Sequence, residues 1–245
     1  MRDRLGGSIG AWDATAESAN GESVRVCVKP FSPSAILPDH LFANWCGNIL
    51  GETLGVPVAR AYLVRLDRDL IPSLGSRGAG VEPGIAFATQ FQEDAVLASE
   101  LIRPDGHQIK NPEAVACGVV MDSLLQQNDR EDDVLLVPVP FSPGKYELCF
   151  IDNGWTVWFP LPTHLNPVTV RWMKEPMASL VQPPEHFVVP LFMAQTLQEA
   201  ELTMRFARCP LRFRRGSSAT PRTVASAAVQ RGVRLPDALR QEVLP

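Results

Sequence analysis

Asn128-Asp129-Arg130-Glu131-Asp132-Asp133, then Val134-Leu135-Leu136-Val137, the turn Ser142-Pro143-Gly144-Lys145, Tyr146-Glu147-Leu148-Cys149-Phe150-Ile151 and Asp152-Asn153-Gly154 form one readable unit. Two apolar runs joined by a Pro-Gly turn predict a β-hairpin. An Asp-Arg pair stands just before the first strand and a second carboxylate, Asp152, just after the returning one. The hairpin therefore brings two carboxylates to one end. There, one can orient a hydroxyl and the other can hold a hard cation.

Working outward, Asn111-Pro112-Glu113 reads as a helix start, with Asn111 as N-cap and Pro112 in the first turn. Val115, Val119, Leu124 and Leu125 give that helix an apolar face as far as about Gln127. Upstream, Ser23-Val24-Arg25-Val26-Cys27-Val28-Lys29 alternates as a strand, with Val24, Val26 and Val28 on one face and Lys29 on the other. Asn20-Gly21 supplies the turn of a hairpin over residues 6–29. Asp39 opens a helix over residues 40–54, and Gly55 closes it. Residues 56–66 and 85–91 read as strands and 72–84 as a loop. Helical segments follow near 191–208, 221–231 and 235–243. The chain is thus β-rich with one helix up to residue 100 and mostly helical over 101–245. The boundary lies near residues 91–110.

The bulk numbers fit a soluble globular chain: 245 residues, 45% hydrophobic and 20% charged. A net charge of −4 gives no field that attracts nucleic acid, and no direct nucleic-acid partner is expected. The sequence has no apolar run near the roughly 18 residues that a membrane span needs, and no membrane partner is expected. The five cysteines are scattered without a CxxC pair, which fits a reducing cytoplasm. The four histidines lack a catalytic context. Arg205, Arg208, Arg212, Arg214, Arg215 and Arg222 read as a solvated helix face and basic loop, with an acidic or phosphorylated partner as the alternative. Trp155 and Trp158 are expected in the core.

Lys29 on a strand, a carboxylate beside an Arg, and a carboxylate at a strand end are elements of a phosphoryl-transfer site, where catalysis is mostly positioning and charge stabilisation. Several segments resemble the HipA-like kinases, in particular the stand-alone branch. They are Met121-Asp122-Ser123-Leu124-Leu125, Asn128-Asp129-Arg130, Leu135-Leu136-Val137, and Phe150-Ile151-Asp152-Asn153-Gly154. Val26-Cys27-Val28-Lys29-Pro30, Leu54-Gly55-Val56-Pro57-Val58 and Phe87-Ala88-Thr89-Gln90-Phe91 extend the resemblance over roughly residues 6–160. It implies an α+β, two-lobed protein kinase-like fold. It also implies an ATP- and Mg2+-dependent phosphotransferase acting on a protein Ser or Thr hydroxyl. In that reading Asp129 is the catalytic carboxylate, Lys29 contacts the ATP phosphates, and Asp152 binds Mg2+. Gln90 and Phe91 lie near the adenine, and Gly6, Gly7 and Ser8 form a lid.

The sequence departs from that pattern. The metal-binding Asn expected five positions after the catalytic Asp is Val134. The His after Asp-Arg is Glu131. The helix Glu that would pair with Lys29 is Asn44, with Asn48 one turn on. Asp132 or Asp133 can supply the missing oxygen, with Asp133 the nearer candidate; an acidic run also serves simply as a solvated loop. The departures leave open a pseudokinase that acts as a nucleotide- or protein-binding module, or a transfer of another part of the nucleotide.

Overall fold

The computed structural model describes residues 11–32, 40–100, 108–127, 130, 133–154, 184–215, 217 and 219–242. Gly6, Gly7, Ser8, Asp129, Trp155 and Trp158 lie outside the described residues, as does most of the Pro-rich stretch that follows Gly154.

The expected N-terminal hairpin is β1 (Trp12–Glu17) and β2 (Ser23–Lys29), paired antiparallel from Trp12↔Val28 to Glu17↔Ser23. Helix α1 (His40–Thr53) follows, then β3 (Ala61–Leu66) and β4 (Gly84–Gln90). The four strands form one antiparallel sheet in the order β1-β2-β4-β3. Alternation in β2 sorts its two faces. Val26 and Val28 join Ala86 and Ala88 in a small cluster, and Lys29 projects to the other side, where α1 packs.

Strand β3 begins at Ala61, later than the expected residue 56. The Pro57–Ala59 stretch is taken by another partner: the Phe150 N–H donates to the Pro57 carbonyl at 2.8 Å, and the Ala59 N–H to the Phe150 carbonyl at 3.1 Å. Part of the expected loop 72–84 is a 3-10 turn over Pro72–Gly78.

Next come a two-residue strand, β5 (Val96–Leu97), helix α2 (Ala114–Leu125), and the deciding hairpin as β6 (Val134–Pro138) and β7 (Tyr146–Phe150). These strands make a second sheet, β5-β6-β7. Asn111 does not cap α2. Glu113 stands at the cap without a side-chain bond. The Asn111 amide instead clasps Leu148 in β7: its oxygen accepts the Leu148 N–H at 2.8 Å and its nitrogen donates to the Leu148 carbonyl at 3.2 Å.

Helix α2 is buried almost all round, so it is a central helix rather than an amphipathic surface one. The chain then continues through α3 (Val188–Gln195), α4 (Glu199–Ala207) and α5 (Pro221–Glu242). The last runs unbroken through Pro236, where a separate final helix was expected.

One large core joins the two halves. Phe42 and Leu50 of α1, Phe87 of β4 and Phe150 of β7 share it with Leu124 of α2, Phe206 of α4 and Phe213. Among the described residues, no helix is long and apolar enough to cross a membrane. The architecture is α+β, with a β-rich N-terminal part and a mostly helical C-terminal part.

The C-terminal arginines mostly fasten this arrangement. Arg205 reaches Glu52 at 2.9 Å, Arg212 donates to the Pro83 carbonyl at 2.7 Å and stacks over Phe31, and Arg222 pairs with Glu199 at 3.3 Å.

Candidate active site around Lys29 and Asp152

Lys29 ends β2 on the face that meets α1. It is buried, and it is aimed at Asp152, which follows β7. Lys29 Nζ lies 2.5 Å from Asp152 Oδ1 and 3.3 Å from Asn44 Oδ1. The side chain of Asp152 keeps 34% of its surface open to solvent. Its backbone sits at φ +44°, a left-handed conformation that Asp tolerates better than most residues. Burial pushes the Asp152 carboxyl upward in pKa. The Lys29 ammonium, hydrogen bonds from Lys29 and Asn44, and the charge of Arg130 outweigh this and hold it below the ordinary carboxylate value.

Beneath this pair runs a second, fully buried polar network. The Arg130 guanidinium grips Asp122 of α2 along one edge, Nε to Oδ2 at 3.0 Å and Nη2 to Oδ1 at 2.6 Å. Its Nη1 donates to the Ile151 carbonyl at 2.7 Å and to Asn153 Oδ1 at 3.0 Å. Asn153 Nδ2 donates to Asn48 Oδ1 at 3.0 Å, and Asn48 Nδ2 donates to the Ala59 carbonyl at 2.7 Å. The network ties α2, the residue after Asp129, the Asp152–Gly154 turn and α1 into one unit.

Two glycines let α1 and that turn touch. A Cβ on Gly47 would fall 2.2 Å from the Asn153 carbonyl oxygen, and one on Gly154 would fall 2.1 Å from Asn44 Nδ2. Gly47→Ala therefore reverses the usual rule that Ala favours a helix over Gly by about 1 kcal/mol. The expected result is a loss of about 1–3 kcal/mol from overpacking against backbone, read by urea unfolding.

The other predicted residues are placed as follows. Asp133 stands beside the turn: its carbonyl accepts the Ile151 N–H at 3.0 Å, and its own N–H donates to the Arg130 carbonyl at 3.1 Å. Val134 is fully buried and pairs with Phe150, so its position offers the site no side-chain oxygen. Gln90 and Phe91 sit at the end of β4. Their backbone N–H groups donate to the carbonyls of Arg60 and Arg25, at 2.8 and 2.9 Å. The Phe91 ring lies under the Arg25 guanidinium at 3.8 Å. An adenine contact here would therefore fall to groups other than these two amides.

The sequence reading missed Asp122 and Asn153 as site-building residues. A signal for the first was present: a carboxylate inside a helix that is otherwise apolar needs a buried cation, and Arg130 is close in sequence.

Lys on a sheet strand opposite a helix, with a carboxylate at the end of a hairpin and a helical second half, is a two-lobed, kinase-like arrangement. No protein-family model matches the chain, and no curated protein matches it. Among solved structures, the Helicobacter pylori proinflammatory kinase CtkA is similar at a TM-score of 0.47 and 12% identity, covering 96% of this chain and 95% of that one. Similarity at that level carries no conclusion about activity.

Proposed function

We propose that this chain is an ATP- and Mg2+-dependent phosphotransferase of the HipA-like kind, acting in the cytoplasm on a Ser or Thr hydroxyl of a protein. The buried Lys29, held against Asp152 at the hairpin end, is the observation that carries the reading. Lys29 places a fixed positive charge where phosphate oxygens are to be held. Asp129, by its position in the sequence, orients the attacking hydroxyl and takes its proton. Asp152 and the neighbouring Asp133 are hard oxygen donors of the type Mg2+ takes, and an ion that keeps several of its waters needs only one or two such carboxylates. When bound, Mg2+ supplies neutralisation of charge on the phosphate oxygens. The network through Arg130 and Asn153 holds the Asp152 turn in place, which suits a reaction that depends on positioning.

A second reading has its own support. Val134 is buried where an Asn ligand is expected, and Asn44 stands where a carboxylate would pair with Lys29. A pseudokinase would tolerate both, acting as a nucleotide- or protein-binding module.

Thermal unfolding with ATP, with and without Mg2+, separates the phosphotransferase from a protein-binding module, because a ligand bound only by the folded state raises the midpoint, and labelled-phosphate transfer separates it from a nucleotide-binding one. The expected result is a Mg2+-dependent rise that disappears in Asp152→Ala. No rise with ATP under either condition counts against the phosphotransferase and for a protein-binding module.

A further inference from the structure

Strand β3 forms one side of the four-stranded sheet, and its outer edge is open. The Gln90 N–H donates to the Arg60 carbonyl at 2.8 Å. With the register running from Ala61↔Thr89 to Leu66↔Gly84, this turns the backbone groups of Tyr62, Val64 and Leu66 towards β4 as well. The N–H and C=O groups of Ala61, Leu63 and Arg65 therefore point away from the sheet. They have no hydrogen-bond partner among the described residues.

The usual guards of such an edge are missing. Strand β3 holds no proline, no lysine and no bulge. Its one charge, Arg65, is paired with Asp67 at 2.9 Å. The opposite edge strand, β1, differs, since its Trp12 and Asp13 are buried. Apolar side chains line β3 on both faces. Leu63 is 44% exposed, although its neighbour across the ladder, Phe87, is fully buried. On the other face Tyr62 and Val64 stand half-buried at the margin of the small cluster of Val26, Val28, Ala86 and Ala88.

An open ladder calls for an extended backbone, and a second copy of β3 supplies one whose side chains match. A two-fold axis keeps every residue of an antiparallel pair on its own face, so the axis falls on a residue and not between two. With the axis at Leu63, Leu63 faces its own copy, Tyr62 faces Val64, and Ala61 faces Arg65. Tyr62 against Val64 is an aromatic–β-branched pair, which stabilises a sheet. The outward groups would exchange about six hydrogen bonds. The neighbouring registers are worse. An axis at Val64 brings Arg60 up to Arg68, and one at Arg65 sets Arg65 against itself, so like charges repel. An axis at Tyr62 shortens the shared ladder to Ala61–Leu63.

We infer that two copies of this chain pair through their β3 edges, antiparallel about Leu63, and join their sheets into one. The pairing does not depend on the Lys29–Asp152 site or its proposed activity.

A contact made mainly by one strand is small, so the dimer is weak and reversible. Sedimentation velocity of the full chain, from roughly 1 µM to 1 mM, should show a dimer fraction that rises with concentration. Leu63→Lys sets two ammonium groups face to face at the axis and should weaken the dimer about tenfold or more. Leu63→Pro removes an outward N–H that the β3–β4 ladder does not use, and should leave a folded monomer. Leu70→Lys, at an exposed leucine beyond β3, should dimerise as the wild type does. Circular dichroism checks the fold of each variant, and Leu63→Lys carries the test if Leu63→Pro does not fold. The assignment is overturned by a wild type that stays monomeric throughout, which would leave the edge to another protein's strand. It is equally overturned by an undiminished dimer in Leu63→Lys or by an equal loss in Leu70→Lys.

Discussion

Asp122→Ala is expected to be the most damaging single change to the fold, costing about 3–5 kcal/mol, enough to unfold many domains of this size. Asp122 is fully buried on α2, and both its oxygens meet Arg130, which is itself 6% exposed. Burial alone would lower the Arg130 pKa; the Asp122 charge and hydrogen bonds raise it above the ordinary arginine value. Removing Asp122 leaves a guanidinium that cannot shed its proton in a place water does not reach. The Ile151 carbonyl, Asn153 and the charges of Asp133 and Asp152 would then have to hold that charge. Arg130→Met should cost less, since a neutral side chain of similar length leaves one carboxylate that can take up a proton. The double variant Asp122→Ala/Arg130→Met should recover part of the loss, because it strands no buried charge. Urea unfolding of the four proteins closes the cycle. A single-variant cost below about 1 kcal/mol would show that the pair is not what holds α2 to the turn.

How far the sequence disclosed this arrangement depends on the range of the interaction involved. The β1–β2 hairpin, α1 and the β6–β7 hairpin were legible because alternation, turn residues and apolar periodicity are local. The alternation in β2 put Lys29 on the face opposite Val24, Val26 and Val28, and only the family resemblance set it towards α1. The short β5 was not legible, since two residues carry no period. Asn111 shows how a local signal is overridden: a good capping residue spends its amide on Leu148, 37 positions away, because that strand edge offers both a donor and an acceptor. The candidate site divides in the same way. Lys29 and Asp152 were legible from strand ends. Asn48 and Asn153 were not, since their contact spans 105 positions and exists only because Gly47 and Gly154 let α1 approach.

Lys29→Met is the change expected to have the largest effect on transfer. Methionine keeps the buried stem of the side chain and removes only the ammonium. If Lys29 stabilises phosphate charge during transfer, ATP-dependent phosphorylation should fall about 10²–10³-fold, the usual cost of deleting one fixed group aimed at developing charge. Stability should respond differently. Asp152 loses its counter-ion, so burial is less opposed and its pKa moves upward, but its partial exposure lets water and protonation absorb part of the cost. Adding Asp152→Asn removes the stranded carboxylate and should restore melting towards wild type while leaving transfer as low as before. The contrast separates a chemical role from a structural one: a structural pair recovers both properties in the double variant, a functional pair only the melting. Measured by labelled-phosphate transfer alongside thermal unfolding, unchanged transfer in Lys29→Met would remove Lys29 from the transfer step, and no transfer by the wild type would sink the phosphotransferase assignment. Absent transfer combined with ATP binding that persists in both proteins would leave a nucleotide-binding module whose Lys29–Asp152 pair serves only to join the sheet to the hairpin.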